Sequence, residues 1–234
     1  MSPGTLYLIP NVIAEATLEV IPQQVIKILP AISHFLVEDV RTARRYLSSL
    51  KIYPSIEALH FEVLNKDTPA NHLASLMSPL SMGLNLGVLS ESGCPGVADP
   101  GALAVGYAHQ QGIRVVPLVG PSSILLSLMA SGLNGQQFAF HGYLPVDAVA
   151  RTKKIKELEQ ESKLKNQTQL LIETPYRNNA VFESLLKTLQ NETQLTVAME
   201  VTGISESIQT RSVNEWKKNK PNWPKSPAVF LFLA

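Results

Sequence analysis

Glu38, Asp39 and Arg41 stand where an apolar run, residues 34–37, gives way to a helical pattern over 40–50. Two adjacent carboxylates at such a junction can accept a proton or orient an acceptor group, and a guanidinium nearby can hold a phosphate. The same residues also suit a plain helix start. There a carboxylate caps free N–H groups and gains about 0.3–1 kcal/mol from the helix dipole. Arg41, Arg44 and Arg45 follow at i, i+3 and i+4, on one helix face. That face is either a phosphate-binding patch or a solvated surface.

Two further segments concentrate glycine, proline and short polar residues just after apolar runs. They are GVLSESGCPGVADPG, residues 87–101, and VVPLVGPSSILLSLMASGL, residues 115–133. Glycine lets backbone approach a ligand and adopt positive φ, and proline fixes the approach. Such loops present N–H and C=O groups to a nucleoside or an amino acid, or they are tight turns only. Cys94 has no basic partner nearby in sequence and reads as ordinary loop packing. His60 ends an apolar segment, where a buried, hydrogen-bonded histidine is commoner than a catalyst.

The elements that must position these residues alternate between strand-like and helix-like patterns, which predicts an α/β architecture with parallel pairing in the first half. Strands are expected over 5–9, 34–37, 55–60, 85–89, 114–118, 138–143, 170–173, 195–201 and 229–233. Helices are expected over 40–50, 103–110, 122–130, 148–162 and 181–189, with a helix start at Asp67-Thr68-Pro69. The junction near Val119 divides the chain into domains 1–118 and 119–234. In α/β sheets the carboxyl ends of strands bind ligands, and both glycine loops fall at such ends.

Length, composition and charge narrow the class. The 234 residues suffice for two small domains, and 45% apolar against 17% charged residues excludes wholesale disorder. A formal net charge of +1 supplies no general attraction to nucleic acid or membrane, so any such contact needs a local patch. One cysteine permits no internal disulfide and suits a reducing cytoplasm. The start MSPGTLYLIP lacks the basic region of a secretory signal. Apolar stretches such as 124–130 fall far short of the roughly 20 residues that span a bilayer. No G-x-G-x-x-G follows 5–9, which disfavours a dinucleotide-dependent oxidoreductase.

Seven segments, GTLYLIP, VEDVRTARRYL, SESGCPGVADPG, VVPLVGPSS with a later SGL, FAFHGYLP, LLIETPYR and AMEVT, occur in this order over nearly the whole chain. Together they resemble the tetrapyrrole (corrin/porphyrin) methylase superfamily, and within it the branch that methylates the ribose 2′-hydroxyl of a small-subunit rRNA cytidine. The resemblance implies two α/β domains, each a sheet flanked by helices, clasping S-adenosylmethionine in the cleft between them without a metal. It implies cofactor contacts at Pro10, Glu91, Ser92, Gly93, Val97, Ser122, Ser123, Glu173 and Val201. The customary Asp-Ala-Gly-Thr-Pro reads Glu91-Ser92-Gly93-Cys94-Pro95 here, and the usual Glu-Leu-Thr-Lys reads Glu200-Val201-Thr202-Gly203.

The expectation is therefore a cytoplasmic methyltransferase acting on ribosomal RNA or the small ribosomal subunit, paired as a homodimer. Glu38, Asp39 and Glu200 are the candidate bases, and Arg41, Arg44, Arg45 and Arg177 the candidate substrate contacts. The alternatives are a methylase of a small molecule such as a tetrapyrrole, and a cofactor-binding module without activity.

Overall fold

The computed structural model describes residues 2–221, 223 and 225–234. The chain divides into two compact units, Met1–Ser122 and Ser123–Ala234, each with its own five-stranded sheet.

The first unit runs β1 (Leu6–Ile9), α1 (Gln23–Ile28), β2 (His34–Val37), α2 (Val40–Ser49), β3 (His60–Val63), the short helices α3 (Leu73–Leu76) and α4 (Ser78–Ser81), β4 (Leu86–Leu89), α5 (Gly101–Gln110) and β5 (Val115–Pro117). Its strands pair in parallel in the order β3-β2-β4-β1-β5. Both faces of a parallel sheet are covered, so its strands are apolar on both sides. Ile9, Phe35, Val37 and Leu89 pack against α1 and α2. Leu6, Leu36, Leu86 and Val88 pack the opposite way, against α4 and α5.

The second unit runs α6 (Ser123–Ser131), β6 (Phe138–Phe140), α7 (Ala148–Lys165), β7 (Thr168–Glu173), α8 (Asn178–Thr188), β8 (Gln194–Met199), β9 (Ser207–Ser212), α9 (Val213–Lys218) and β10 (Ala228–Leu233). The strand order is β6-β7-β10-β8-β9, parallel only between β6 and β7. Leu171, Val197 and Phe230 meet α7, α8 and α9 in one core, while Leu170, Ala198 and Leu231 meet α6 in another. Among the described residues no helix is long and apolar enough to cross a membrane.

The α/β architecture and the parallel first half agree with the sequence, but two local expectations need correction. The strand expected over 55–60 lies at His60–Val63, where His60 pairs with His34 and Val63 with Val37. The start expected at Asp67-Thr68-Pro69 leads into a 3₁₀ turn, Ala70–His72, because the Thr68 hydroxyl accepts the N–H of Asn65 instead. The helical stretch α1, and the pair β9 and α9, are additional elements.

Candidate active site

The carboxyl ends of β1, β2, β4 and β5 share one edge of the first sheet. From β1 the chain passes to the face carrying α1, and from the adjacent β4 to the face carrying α5. Neighbouring parallel strands whose connections diverge leave a crevice at their carboxyl ends. Pro10, Glu38, the loop 90–100 and the segment 118–122 all begin at this edge.

Side chains and backbone knit these loops together. The Asn11 N–H donates to the carbonyl oxygen of Gly93 at 2.9 Å. The Asn11 side-chain amide donates to the carbonyls of Ser90 and Glu91, each at 3.1 Å. The Cys94 thiol donates to the carbonyl of Pro121 at 3.3 Å, and the Tyr46 hydroxyl to that of Pro10 at 2.9 Å. Gly120 sits so close to the Pro10 ring that an added Cβ would stand 2.1 Å from the Pro10 Cβ. Gly93 has φ +68°, a conformation that suits glycine, and a Cβ there would stand 3.4 Å from the Pro121 carbonyl oxygen. Gly93 is buried, whereas Glu91, Ser92 and Val97 are exposed.

Glu38 and Asp39 have separate fates. Asp39 caps α2, its Oδ1 accepting the Thr42 N–H at 2.7 Å, and this bond holds its carboxyl below the usual range. Glu38 instead lines a pocket with Ser90, Asp99 and Gly101. Burial raises its carboxyl, the negative charges of Asp99 and Glu91 raise it further, and a hydrogen bond from the Glu91 backbone opposes them. Asp99 Oδ1 accepts the N–H groups of Gly96 and Gly101 at 2.7 and 2.8 Å. Its Oδ2 is buried with no hydrogen-bond partner among the described residues. Burial and Asp99 also raise the Cys94 thiol, which disfavours the thiolate.

Arg41, Arg44 and Arg45 are all exposed on α2. The Arg44 guanidinium lies over the Phe61 ring, 5.3 Å from its centroid, so part of its surface is already engaged. His60 stacks on His34 with ring centroids 4.6 Å apart, at the amino end of the strands and away from this edge.

In the second unit, Ala228 of β10 is in register with Glu173 on one side and Met199 on the other. Glu173 and the turn holding Glu200 and Val201 therefore stand level at one end of the sheet. Glu173 is buried, its Oε1 accepts the Thr174 N–H at 2.7 Å, and its Oε2 lies 3.2 Å from the Arg177 guanidinium. Arg177 also donates to the Leu144 carbonyl at 3.0 Å, so a structural ion pair occupies much of its capacity. Glu200 and Thr202 adopt φ +50° and +72° on either side of Val201. Positive φ at a β-branched residue costs on the order of 1–3 kcal/mol and concentrates at functional sites. Ser123 opens α6, directly after Ser122 at the boundary of the units.

Three residues at this site escaped the sequence reading. Asn11 carries the signal of a turn-forming side chain right after a strand, its Oδ1 accepting the Val12 N–H. Asp99 sits in a D-P-G run that opens a helix. Tyr46 is a polar handle on the apolar face of α2.

The chain is 31% identical, over 229 residues, to the ribosomal RNA small subunit methyltransferase I of Vibrio cholerae serotype O1, covering 97% of this chain and 76% of that protein. The chain belongs to the ribosomal RNA small subunit methyltransferase I family. The Escherichia coli O157:H7 member is 30% identical over 233 residues, covering 98% of this chain and 78% of its own. No family model matches the sequence. Among solved structures, the methyltransferase CobJ aligns over 98% of this chain and 94% of its own, with TM-score 0.62 and 14% identity. Uroporphyrin-III C-methyl transferase from Thermus thermophilus, complexed with S-adenyl homocysteine, aligns over 98% and 97%, with TM-score 0.58 and 15% identity. These two likenesses show that the chain has the fold of those methyltransferases. The knitted loops around Gly93 thus stand at a strand edge of a methyltransferase fold.

Proposed function

We propose that the chain transfers the methyl group of S-adenosylmethionine to a ribose 2′-hydroxyl of small-subunit ribosomal RNA, in the cytoplasm and as a homodimer. The observation that carries this reading is the likeness, along nearly the whole chain, to relatives named for methylating that RNA.

The residues present fit the cofactor. Gly93 leaves open the space that a side chain would fill, and the buried, unpartnered Asp99 Oδ2 offers an acceptor for a ligand's donor. Pro10, Glu91, Ser92, Gly93, Val97 and Ser122, all of the first unit, would hold it. When bound, it supplies an activated methyl carbon on a sulfonium, so the protein's task is positioning and the exclusion of water.

Of the three candidate bases, Glu38 is best suited to take the hydroxyl proton. Asp39 is spent on capping α2, and Glu200 belongs to a strained turn. A carboxyl raised by burial and by two negative neighbours works nearer to neutral pH, where proton transfer is efficient. Arg41 and Arg45 are the freest of the proposed phosphate contacts, with Arg44 and Arg177 partly committed.

The test is transfer of a tritiated methyl group from S-adenosylmethionine to small ribosomal subunits that lack the modification. Label is expected in an alkali-resistant dinucleotide, the mark of a blocked 2′-hydroxyl. Label that enters only a tetrapyrrole panel, with none in RNA, overturns the assignment.

A further inference from the structure

Two tyrosines stand in the open at the carboxyl ends of β6 and β7. Tyr176 is 85% exposed and Tyr143 is 55% exposed. Their closeness follows from the register. Phe140 pairs in parallel with Leu170, and the ladder continues as the Ile172 N–H donates to the Gly142 carbonyl at 3.0 Å. That bond is advanced by one residue on the β6 side relative to the Phe140–Leu170 register, so Tyr143 stands across from Ile172, about one strand spacing of 4.8 Å away. Tyr176 lies in the turn directly after Glu173, where the Arg177 N–H donates back to Thr174.

The two loops are fixed to each other by cations. Arg177, next to Tyr176, donates to the carbonyl of Leu144, next to Tyr143, at 3.0 Å. Arg151 donates to the Val146 carbonyl at 2.8 Å and to Ser184 Oγ at 3.0 Å, which holds the other end of the 144–146 loop. Val146 and Val149 extend the patch, at 77% and 79% exposed. Neither tyrosine hydroxyl makes a hydrogen bond among the described residues. Aromatic side chains so exposed, on loops so well fastened, gain nothing from the fold itself.

We infer that Tyr143 and Tyr176 form a stacking platform for unpaired bases of the RNA substrate, beside the guanidinium groups of Arg151 and Arg177. The inference rests on the rRNA reading above and deepens it by naming the surface that receives the nucleotides around the target ribose. Three features favour RNA as the occupant. Single-stranded RNA is recognised chiefly by stacking on aromatic faces flanked by cations. The net charge of +1 requires a local recognition surface. The platform also stands at the end of β7 that carries Glu173, an expected cofactor contact.

The experiment uses the full chain and unmodified small-subunit rRNA transcribed in vitro. Y143L and Y176L should each raise the RNA dissociation constant by roughly 5-fold to 140-fold, the range that loss of one stacked base gives. Y143F and Y176F, which keep the ring, should bind like the parent. All four should bind S-adenosylmethionine with unchanged affinity, which also shows that they fold. Parental RNA affinity in both leucine variants overturns the platform while leaving the rRNA reading intact. A parent that does not bind the RNA at all overturns both. If the leucine variants instead shift sedimentation toward a smaller species with RNA affinity unchanged, the patch covers a second copy of the chain and the platform is wrong.

Discussion

The hydroxyl of Tyr46, on α2, donates to the carbonyl oxygen of Pro10 at 2.9 Å, inside the core of the first unit. One bond thus ties a core helix to the loop that leaves β1 for the candidate site. Tyr46→Phe removes the donor and leaves a buried carbonyl unpaired, a loss of about 1–3 kcal/mol. Urea unfolding should show that loss, and calorimetry should show weaker cofactor binding. Unchanged cofactor affinity in the folded variant would mean that the loop holds its place without help.

Glu38→Gln should separate function from stability. Its folded pKa is raised, so the protonated form is favoured in the fold. The associated stability is complete below the ordinary carboxylate range and is lost as pH rises through the raised value. The variant should therefore melt higher than the parent near pH 7–8 and equally at strongly acid pH. Its methyl transfer should fall by roughly 10²–10⁴-fold, as for loss of a general base. In the parent, transfer should rise with pH as Glu38 ionises. A variant with full activity would remove Glu38 from the chemistry.

Asp39 separates from its neighbour by the opposite behaviour. Asparagine caps helices as well as aspartate does, so Asp39→Asn should keep both the melting temperature and the transfer rate. Asp39→Ala should melt lower, because the Thr42 N–H loses its acceptor. The lowered carboxyl contributes stability that is present above its unfolded pKa and lost as pH falls through the folded one, so the gap should narrow in acid. A transfer rate that collapses in Asp39→Asn would restore Asp39 as a base.

Gly120 and Pro10 should be coupled. Gly120→Ala places a methyl group 2.1 Å from the Pro10 Cβ and should cost about 1–3 kcal/mol. Pro10→Gly in that background should recover part of it, a coupling of roughly 0.5–3 kcal/mol in a double-mutant cycle. Strict additivity would show that the loops relax independently.

Arg41 and Arg45 test the phosphate face. Replacing both by alanine should weaken rRNA binding and lower its salt dependence by about one unit of slope for each phosphate left without its cation. Cofactor affinity should stay as it was. A slope identical to the parent's would return α2 to the solvated surface.

Much of this was legible in the residues, because strand-end glycines and prolines announce themselves. The loops around Gly93 and Gly120 are at strand ends for the reason the sequence suggested. What stayed hidden depends on contacts between distant segments. Asn11 reaches Ser90 and Glu91, and Tyr46 reaches Pro10, across separations that no local pattern encodes. The strand at His60–Val63 was displaced because it is an edge strand, mostly exposed, with little apolar signal. Likewise β9, Ser207–Ser212, is polar except for Ile208 and borders its sheet. Its following helix, by contrast, carried a readable capping box in Ser212 and Glu215.

The order of strands in the first sheet bears on how the chain is made. Leu6 of β1 is flanked by Leu86 and Val115, so β1 stays unpaired on both sides until much of the unit has been synthesised. A ribosome adding roughly 5–20 residues per second leaves that apolar strand waiting for several seconds. The second unit has no such delay between β8 and β9, which pair as sequence neighbours. Pairing of distant segments is slow, and an open apolar strand invites aggregation. The same interleaving that brings Pro10 beside the loop after β4 therefore makes the nascent first unit the part of this enzyme most in need of protection during translation.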